Sequence, residues 1–264
     1  MSAATTLAWT GARFEPVAEP AGEAAEQILA ADSWLVVDHR AVAVELHALR
    51  FADAVAGAGG SRADALAAVR ESARHIPDGA WSPRVDLTDD GIRLRVRPAS
   101  PREPFVEVDT VDADPRTQPR VKGPDLDALA ALRDGESARL GRPVEPVLAP
   151  DGIVAEAVYS AVLWWRDDAL HVPADDIPRL DSVTGRVLER LAEHDGIEVR
   201  RARSTPADLE GCEVWLANAL RGVRGVTRWH DGPPLAEPTR AGEWHTRLTA
   251  LRAPLPALSR GSGA

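Results

Sequence analysis

Asp112-Ala-Asp-Pro-Arg-Thr-Gln-Pro-Arg-Val-Lys-Gly-Pro-Asp125 divides this chain. Three prolines and almost no apolar residue in one short stretch forbid a regular element, so the segment reads as a linker or a rigid crossing. On its N-terminal side Ser33–Val37, a turn at Asp38-His39-Arg40 and Ala41–Val44 read as strand, turn and strand. Glu45 to Ala56 reads as a helix stopped by Gly57-Ala-Gly-Gly60, and a second helix, capped by Ser61 with Asp64, runs to Ile76. Two further strands, Gly91–Arg97 and Phe105–Val111, complete a compact α+β unit, with residues 1 to about 20 as an arm or short edge strand.

On the C-terminal side Leu126–Leu140 has helical period. Strands follow at Val144–Leu148, Ile153–Glu156, Val158–Trp165 and Ala169–Val172, the last pair turned at Arg166-Asp-Asp168. Ser182–His194 is a helix, Ile197–Ala202 a strand and Pro206–Leu209 a short helix, then strands at Glu213–Ala217 and Gly225–Trp229 precede a closing helix, Ala241–Arg252. Ser259-Arg-Gly-Ser-Gly-Ala264 reads as a disordered tail. The expected organisation, α+β (α/β) in class, is a smaller α+β domain over 1–111, the segment 112–125, and a larger domain over 126–264 with a mixed, barrel-like sheet.

The chain has 264 residues, 44% of them apolar, which is enough for two medium domains with real cores. A net charge of −10 disfavours nucleic acid or an anionic membrane, both of which need a basic field, and favours small-molecule chemistry. Cys212 is the single cysteine, and no apolar run approaches the roughly 20 residues that a bilayer demands, so a cytoplasmic protein is expected. No His, Cys, Asp and Glu cluster has metal-ligand spacing, and neither a glycine-rich phosphate loop nor a nucleophile elbow occurs.

Lys122 stands in the dividing segment as the only lysine beside thirty arginines. Arginine replaces lysine in almost every electrostatic role, but not where an amine must lose its proton and attack a carbonyl. Glu156 ends a strand that otherwise reads as buried, and it is either an edge residue facing water or a carboxylate paired with something cationic. Leu180-Asp-Ser-Val-Thr-Gly-Arg186 runs into a helix; Ser182 and Thr184 serve as ordinary caps or, with the free N–H groups, as an anion cradle. His47 and Arg50 share a helix face. Arg93, Arg95 and Arg97 alternate along one strand and so point to one side, as a solvated face or a clamp for anions. Asn218 is placed as a turn residue.

In this order the segments resemble the class-IV aminotransferase family, the pyridoxal-phosphate enzymes of fold type IV that include branched-chain and D-amino-acid aminotransferases and aminodeoxychorismate lyase. The similarity runs from about Asp32 to Asp231 and is strongest at Gly152-Ile-Val-Ala-Glu156, Leu180 with Ser182-Val-Thr184, Asp208-Leu-Glu-Gly-Cys-Glu213 and Asn218-Ala-Leu with Gly222-Val. It implies two domains, pyridoxal 5'-phosphate as cofactor, an amino or keto acid substrate and a homodimer. Lys122 would form the Schiff base and shuttle protons, Glu156 would keep the pyridine nitrogen protonated, and Arg97 would meet a substrate carboxylate. Arg50, Ser182, Val183 and Thr184, with the turn at Asn218 and Ala219, would hold the phosphate. Transamination is the expected reaction, with a pyruvate-releasing aminodeoxychorismate lyase or a non-catalytic binding relative as alternatives. The sequence departs from the family's pattern at Asp32, a usual glutamate, at Ala161, a usual asparagine, and at Gly185, a usual arginine. Tyr159 is the only tyrosine, so aromatic hydroxyls around a ring or substrate are mostly missing.

Overall fold

A computed structural model describes residues 5–17 and 27–256; the expected disordered tail lies outside the described residues, as does part of the N-terminal arm. The chain forms two compact units. The first contains β1 (Thr5–Trp9), β2 (Phe14–Pro16), β3 (Ile28–Ser33), β4 (Val36–Val37), β5 (Arg40–Ala41), α1 (Val44–Gly57), α2 (Arg62–Ser72), β6 (Ala80–Thr88) and β7 (Gly91–Pro98). The second contains β8 (Phe105–Val111), α3 (Leu126–Leu140), β9 (Glu145–Leu148), β10 (Glu156–Ala157), β11 (Ala161–Arg166), β12 (Ala169–Pro173), α4 (Val183–His194), β13 (Val199–Ala202), β14 (Glu213–Asn218), β15 (Gly222–His230) and α5 (Ala241–Ala250). A final strand, β16 (Ala253–Pro254), returns to the first unit and pairs with β5.

The first sheet is antiparallel throughout, in the order β16-β5-β4-β6-β7-β1-β2 with β3 on β6. Asp38 and His39 both take positive φ, 48° and 57°, which is what a two-residue hairpin needs if its turn is to follow the strands' twist. Helix α1 buries Val44, His47, Ala48, Phe51, Ala52 and Val55, a stripe at helical spacing. Ser61 caps α2 as expected, its hydroxyl accepting from the Asp64 N–H at 3.2 Å. The second sheet is mixed, in the order β10-β9-β8-β15-β14-β11-β12-β13, with parallel pairs β8/β15, β8/β9 and β12/β13. One of its faces packs Val108, Val162, Trp164, Leu216 and Trp229 into a core.

The division falls at Ser100 and Pro101, ahead of the expected boundary at 111, because β8 is hydrogen-bonded between β15 and β9. Residues 121–124, with Lys122, belong to the first unit, while 101–120 and 125–250 form the second. Strand β6 is absent from the sequence reading, and it is the strand to which β3, β4 and β7 all pair. Pro83 within it argues against a strand, yet β6 tolerates it at a position opposite Val96. Glu156 begins β10 instead of ending a strand from Ile153, since Pro150–Gly152 forms a helical turn with Asp151 at φ 54°.

Trp165, Trp215 and Trp244 form a closed trio with ring centroids 5.3–5.5 Å apart, which fastens α5 onto β11 and β14. Trp244→Ala removes one corner of that trio and lowers stability by about 3–5 kcal/mol. Urea unfolding followed by circular dichroism checks this; an unchanged midpoint would mean that α5 is not part of the cooperative core.

Candidate active site

Burying a carboxylate is costly unless cations and hydrogen bonds meet it. In the first unit Asp32 on β3 has no exposed surface, and its two oxygens are spoken for. Oδ1 pairs with His47 Nδ1 at 2.8 Å and accepts from Arg50 Nη2 at 2.9 Å, while Oδ2 accepts from Arg50 Nε at 2.8 Å. Burial pushes the Asp32 carboxyl up, but the Arg50 guanidinium and the His47 ring outweigh it and hold the group well below the usual carboxylate range. The aspartate therefore aims Arg50 rather than leaving it to swing.

Lys122 is attached to the same strand. Its carbonyl accepts from the Ala31 N–H at 2.6 Å, one residue before Asp32. Its charge also reaches the His47 ring: burial first, then Arg50 and Lys122, lower the affinity of that ring for a proton against the pull of Asp32. Gly123 makes the approach possible. Its φ is +134°, and a Cβ there would lie 2.7 Å from the Ala30 carbonyl carbon and the Ala31 nitrogen.

In the second unit Glu156 is 7% exposed. Its Oε1 accepts from the Leu180 N–H at 2.8 Å and from Arg116 Nη1. Arg116 is fixed in turn by Asp114 through Nε at 2.8 Å and Nη2 at 2.7 Å. Burial lifts the Glu156 carboxyl above its ordinary range although Arg116 and the Leu180 amide oppose it. A further positive group facing this carboxylate would relieve that penalty. Of the two readings of Glu156, the water-facing edge residue does not hold. Arg116 escaped the sequence reading; the signal was Asp114-Pro-Arg116 in a segment taken only as a linker.

Leu180 also leads into α4, so the Glu156 contact fixes the approach to the helix start. Ser182 is the N-cap, its hydroxyl accepting from the Gly185 N–H at 3.1 Å. Helix geometry leaves the Val183 and Thr184 N–H groups without an intrahelical acceptor, beside a buried Thr184 side chain. Asn218 closes a turn: its Oδ1 accepts from Leu220 N at 3.1 Å and Arg221 N at 2.8 Å, and its Nδ2 donates to Ser160 Oγ at 2.9 Å. The α4 start and this turn stand at one end of the same strand pair. Ala161 faces Ala217 across β11 and β14, Asn218 follows Ala217, and a Cβ at Gly185 would be 3.6 Å from the Ala161 Cβ. A cleft of about 400 Å³ opens here, lined by Glu156, Ala161, Leu180, Ser182 and Gly185 among others. Arg97 lies on β7 of the first unit, with the other alternating arginines.

Residues 29–229 match the family described as amino-transferase class IV. The chain belongs to that family, whose members are pyridoxal-phosphate-dependent aminotransferases and lyases. Over 82 residues it is 32% identical to the aminodeoxychorismate lyase of Bacillus subtilis (strain 168), a match that covers 31% of this chain and 28% of that protein. Its fold is similar to a fold IV-transaminase of Curtobacterium pusillum, with a TM-score of 0.76 and 20% identity over 94% of this chain and 97% of the other. A hypothetical aminotransferase from Mycobacterium tuberculosis in its PLP-bound form gives a TM-score of 0.75 at 19% identity, over 94% and 98%. The expected fold class, two sheets with mixed helix and strand in a fold-type-IV arrangement, is thus what the chain adopts.

Two predictions follow from the first-unit cluster. Gly123→Ala forces a side chain into strained backbone against β3, costing about 1–3 kcal/mol or displacing Lys122, which thermal unfolding and the hydrogen exchange of the Ala31 amide read out. The His47 ring, ordinarily titrating near 6.5, stays neutral in the folded unit below that pH while the unfolded chain takes up a proton. Stability is therefore complete above pH about 6.5 and falls below it by up to ~1.4 kcal/mol per unit until the folded value is reached. Ring nitrogen shifts by NMR test this; a midpoint at or above 6.5 contradicts it.

Proposed function

We propose that this protein is a pyridoxal-phosphate-dependent aminotransferase that moves an amino group between an amino acid and a keto acid, with Lys122 as the catalytic amine. The observation that supports this most is that the only lysine of the chain is held by its backbone on β3 beside the buried Asp32, His47 and Arg50. When bound, pyridoxal 5'-phosphate supplies an electron sink for the pair released at the substrate carbon.

The residues present fit that cofactor. Glu156 is a buried carboxylate in need of a further positive partner, which a protonated pyridine nitrogen provides; Glu156 would hold the proton on that atom. Val183 and Thr184 offer free N–H groups at a helix start, to which a phosphate dianion binds well. Arg50, aimed by Asp32, and the turn at Asn218 and Ala219 would add their donors to the phosphate. The Asn218 side chain is occupied within its turn, so the backbone, chiefly Ala219 N–H, is what this turn offers. The Ser182 hydroxyl caps α4, and its part is to place the helix start. Lys122 would hold the cofactor covalently, then take the proton from the substrate carbon and return it one position along. Arg97 would take a substrate carboxylate, and a homodimer belongs to the same reading.

A pyruvate-releasing lyase is the second reading, favoured by the local similarity to the Bacillus subtilis aminodeoxychorismate lyase. An amino acid alone converts a transaminase's cofactor to its amine form, whereas a lyase releases pyruvate without a keto acid acceptor.

Purified protein given the cofactor should show a visible band that borohydride traps on Lys122, located by peptide mass. Lys122→Arg should fold and lose the band, and a colourless wild-type protein would overturn the proposal. Glu156→Gln should retain the band while turnover falls by at least about a hundredfold, because an amide cannot keep the ring nitrogen charged.

A further inference from the structure

A chain of buried side chains runs through the second unit from β9 to the turn after β14. Arg224 of β15 reaches past β8, the strand between them, to donate to Glu145 Oε2 on β9. The same Arg224 Nη2 donates to Ser160 Oγ at 3.2 Å. Ser160 Oγ also accepts from Asn218 Nδ2 at 2.9 Å, which leaves Asn218 Oδ1 to hold the Leu220 and Arg221 N–H groups. Glu145, Ser160 and Arg224 are all buried. The backbone of Ser160 is fixed as well: it exchanges two hydrogen bonds with Ala157, closing the loop that follows Glu156.

The ion pair in this chain is a poor source of stability. Two well-packed apolar residues in place of a buried pair would be about as stable. Nor is the pair closed as the two-bond fork that arginine and carboxylate favour. It runs through one nitrogen and one oxygen, while Arg224 Nε and Glu145 Oε1 are buried without a hydrogen-bond partner among the described residues. What the one-armed arrangement provides is the second N–H of Nη2, aimed at Ser160. Glu145 thus aims Arg224, Arg224 fixes the Ser160 hydroxyl, and that hydroxyl fixes the amide of Asn218.

We propose that Ser160, held by the Glu145–Arg224 pair, is the positioning residue that sets the Asn218 turn and, with it, the Ala219 N–H. An N–H in a turn strengthens the grip on an anion only if it is already aimed, because a loose donor has to be ordered on binding. Ser160 and Arg224 therefore act on the phosphate end of the cofactor through the turn, and not on its ring. As a statement about phosphate, the proposal rests on the function proposed above. As a statement about the order of the turn it does not.

Two measurements on the full chain test it: the affinities for pyridoxal 5'-phosphate and for pyridoxal, which lacks the phosphate, and the hydrogen exchange of the Leu220 and Arg221 amides. Ser160→Ala should weaken pyridoxal 5'-phosphate about tenfold, change pyridoxal by less than about twofold, and speed both amides at least about tenfold. Ser160→Thr, which keeps the hydroxyl, should restore wild-type values. The double variant Glu145→Gln with Arg224→Met strands no charge and should shift both readouts in the same direction with the fold retained. Thr246→Ala, which removes an exposed hydroxyl on α5, should change neither. Equal loss of the two aldehydes in Ser160→Ala, or unchanged amide exchange, would overturn the proposal. A wild-type protein that takes up neither aldehyde defeats the enzyme reading, and amide exchange alone then decides whether Ser160 orders the turn. Unchanged exchange beside a normal cofactor band does the reverse.

Discussion

A buried carboxylate held by arginine is the constraint on which both units of this protein depend. In the first unit, Asp32 lies on β3 and is met by Arg50 and His47 from α1, so satisfying one charge also fixes the helix against the sheet. In the second, Arg116 reaches Glu156 from the segment preceding Lys122, and Arg224 on β15 reaches Glu145 on β9. Such pairs add little net stability compared with apolar packing, but loss of either partner strands a charge and is strongly destabilising. They therefore specify geometry more than they stabilise it. The guanidinium fork suits that task because it binds two oxygens in a fixed plane and does not lose its proton.

The same division of labour gives Lys122 its meaning. Arginines carry the buried ion pairs, and the backbone of the single lysine ties it to the fold through Ala31. In the proposed function that amine changes protonation and bonds to carbon, which an arginine could not do in its place. Gly123 allows the close approach by which the Lys122 carbonyl reaches the Ala31 amide.

Much of this was legible in the sequence where local signals and tertiary demand agree. The Asp38-His39 and Asp167-Asp168 turns, the Ser61 and Ser182 caps and the buried stripe of α1 all follow from short-range chemistry. Strand β6 was not legible, because Pro83 and the polar residues Ser82, Arg84 and Asp86 alternate with its core positions and mask the run. That omission hid Asp86, the ion-pair partner of Arg95, so the alternating arginines of β7 could be read as a solvated face. The membership of β8 in the second unit was hidden for another reason: parallel pairing with β15 joins residues more than a hundred positions apart, and nothing in Phe105–Val111 announces it. Of the candidate site, Glu156, Lys122 and the α4 start drew notice in the sequence, while Arg116 did not, because a proline-rich segment reads as a connector whatever its charges do.

The departures at Ala161 and Gly185 take on a different weight in three dimensions. Read along the chain they are two independent losses of a polar side chain, and two losses suggest a protein that has shed its chemistry. In the fold they face each other, since a Cβ on Gly185 would sit 3.6 Å from the Ala161 Cβ and 3.3 Å from the Ser182 Cβ. Small residues at both positions let α4 come close to β11, and a large one at either would push the helix start away. Their effect is thus a single packing change that sets the height of the Val183 and Thr184 N–H groups above the sheet. Beside that change Glu156 keeps its bonds to Arg116 and to the Leu180 amide, so the buried carboxylate stays in place while the helix start moves.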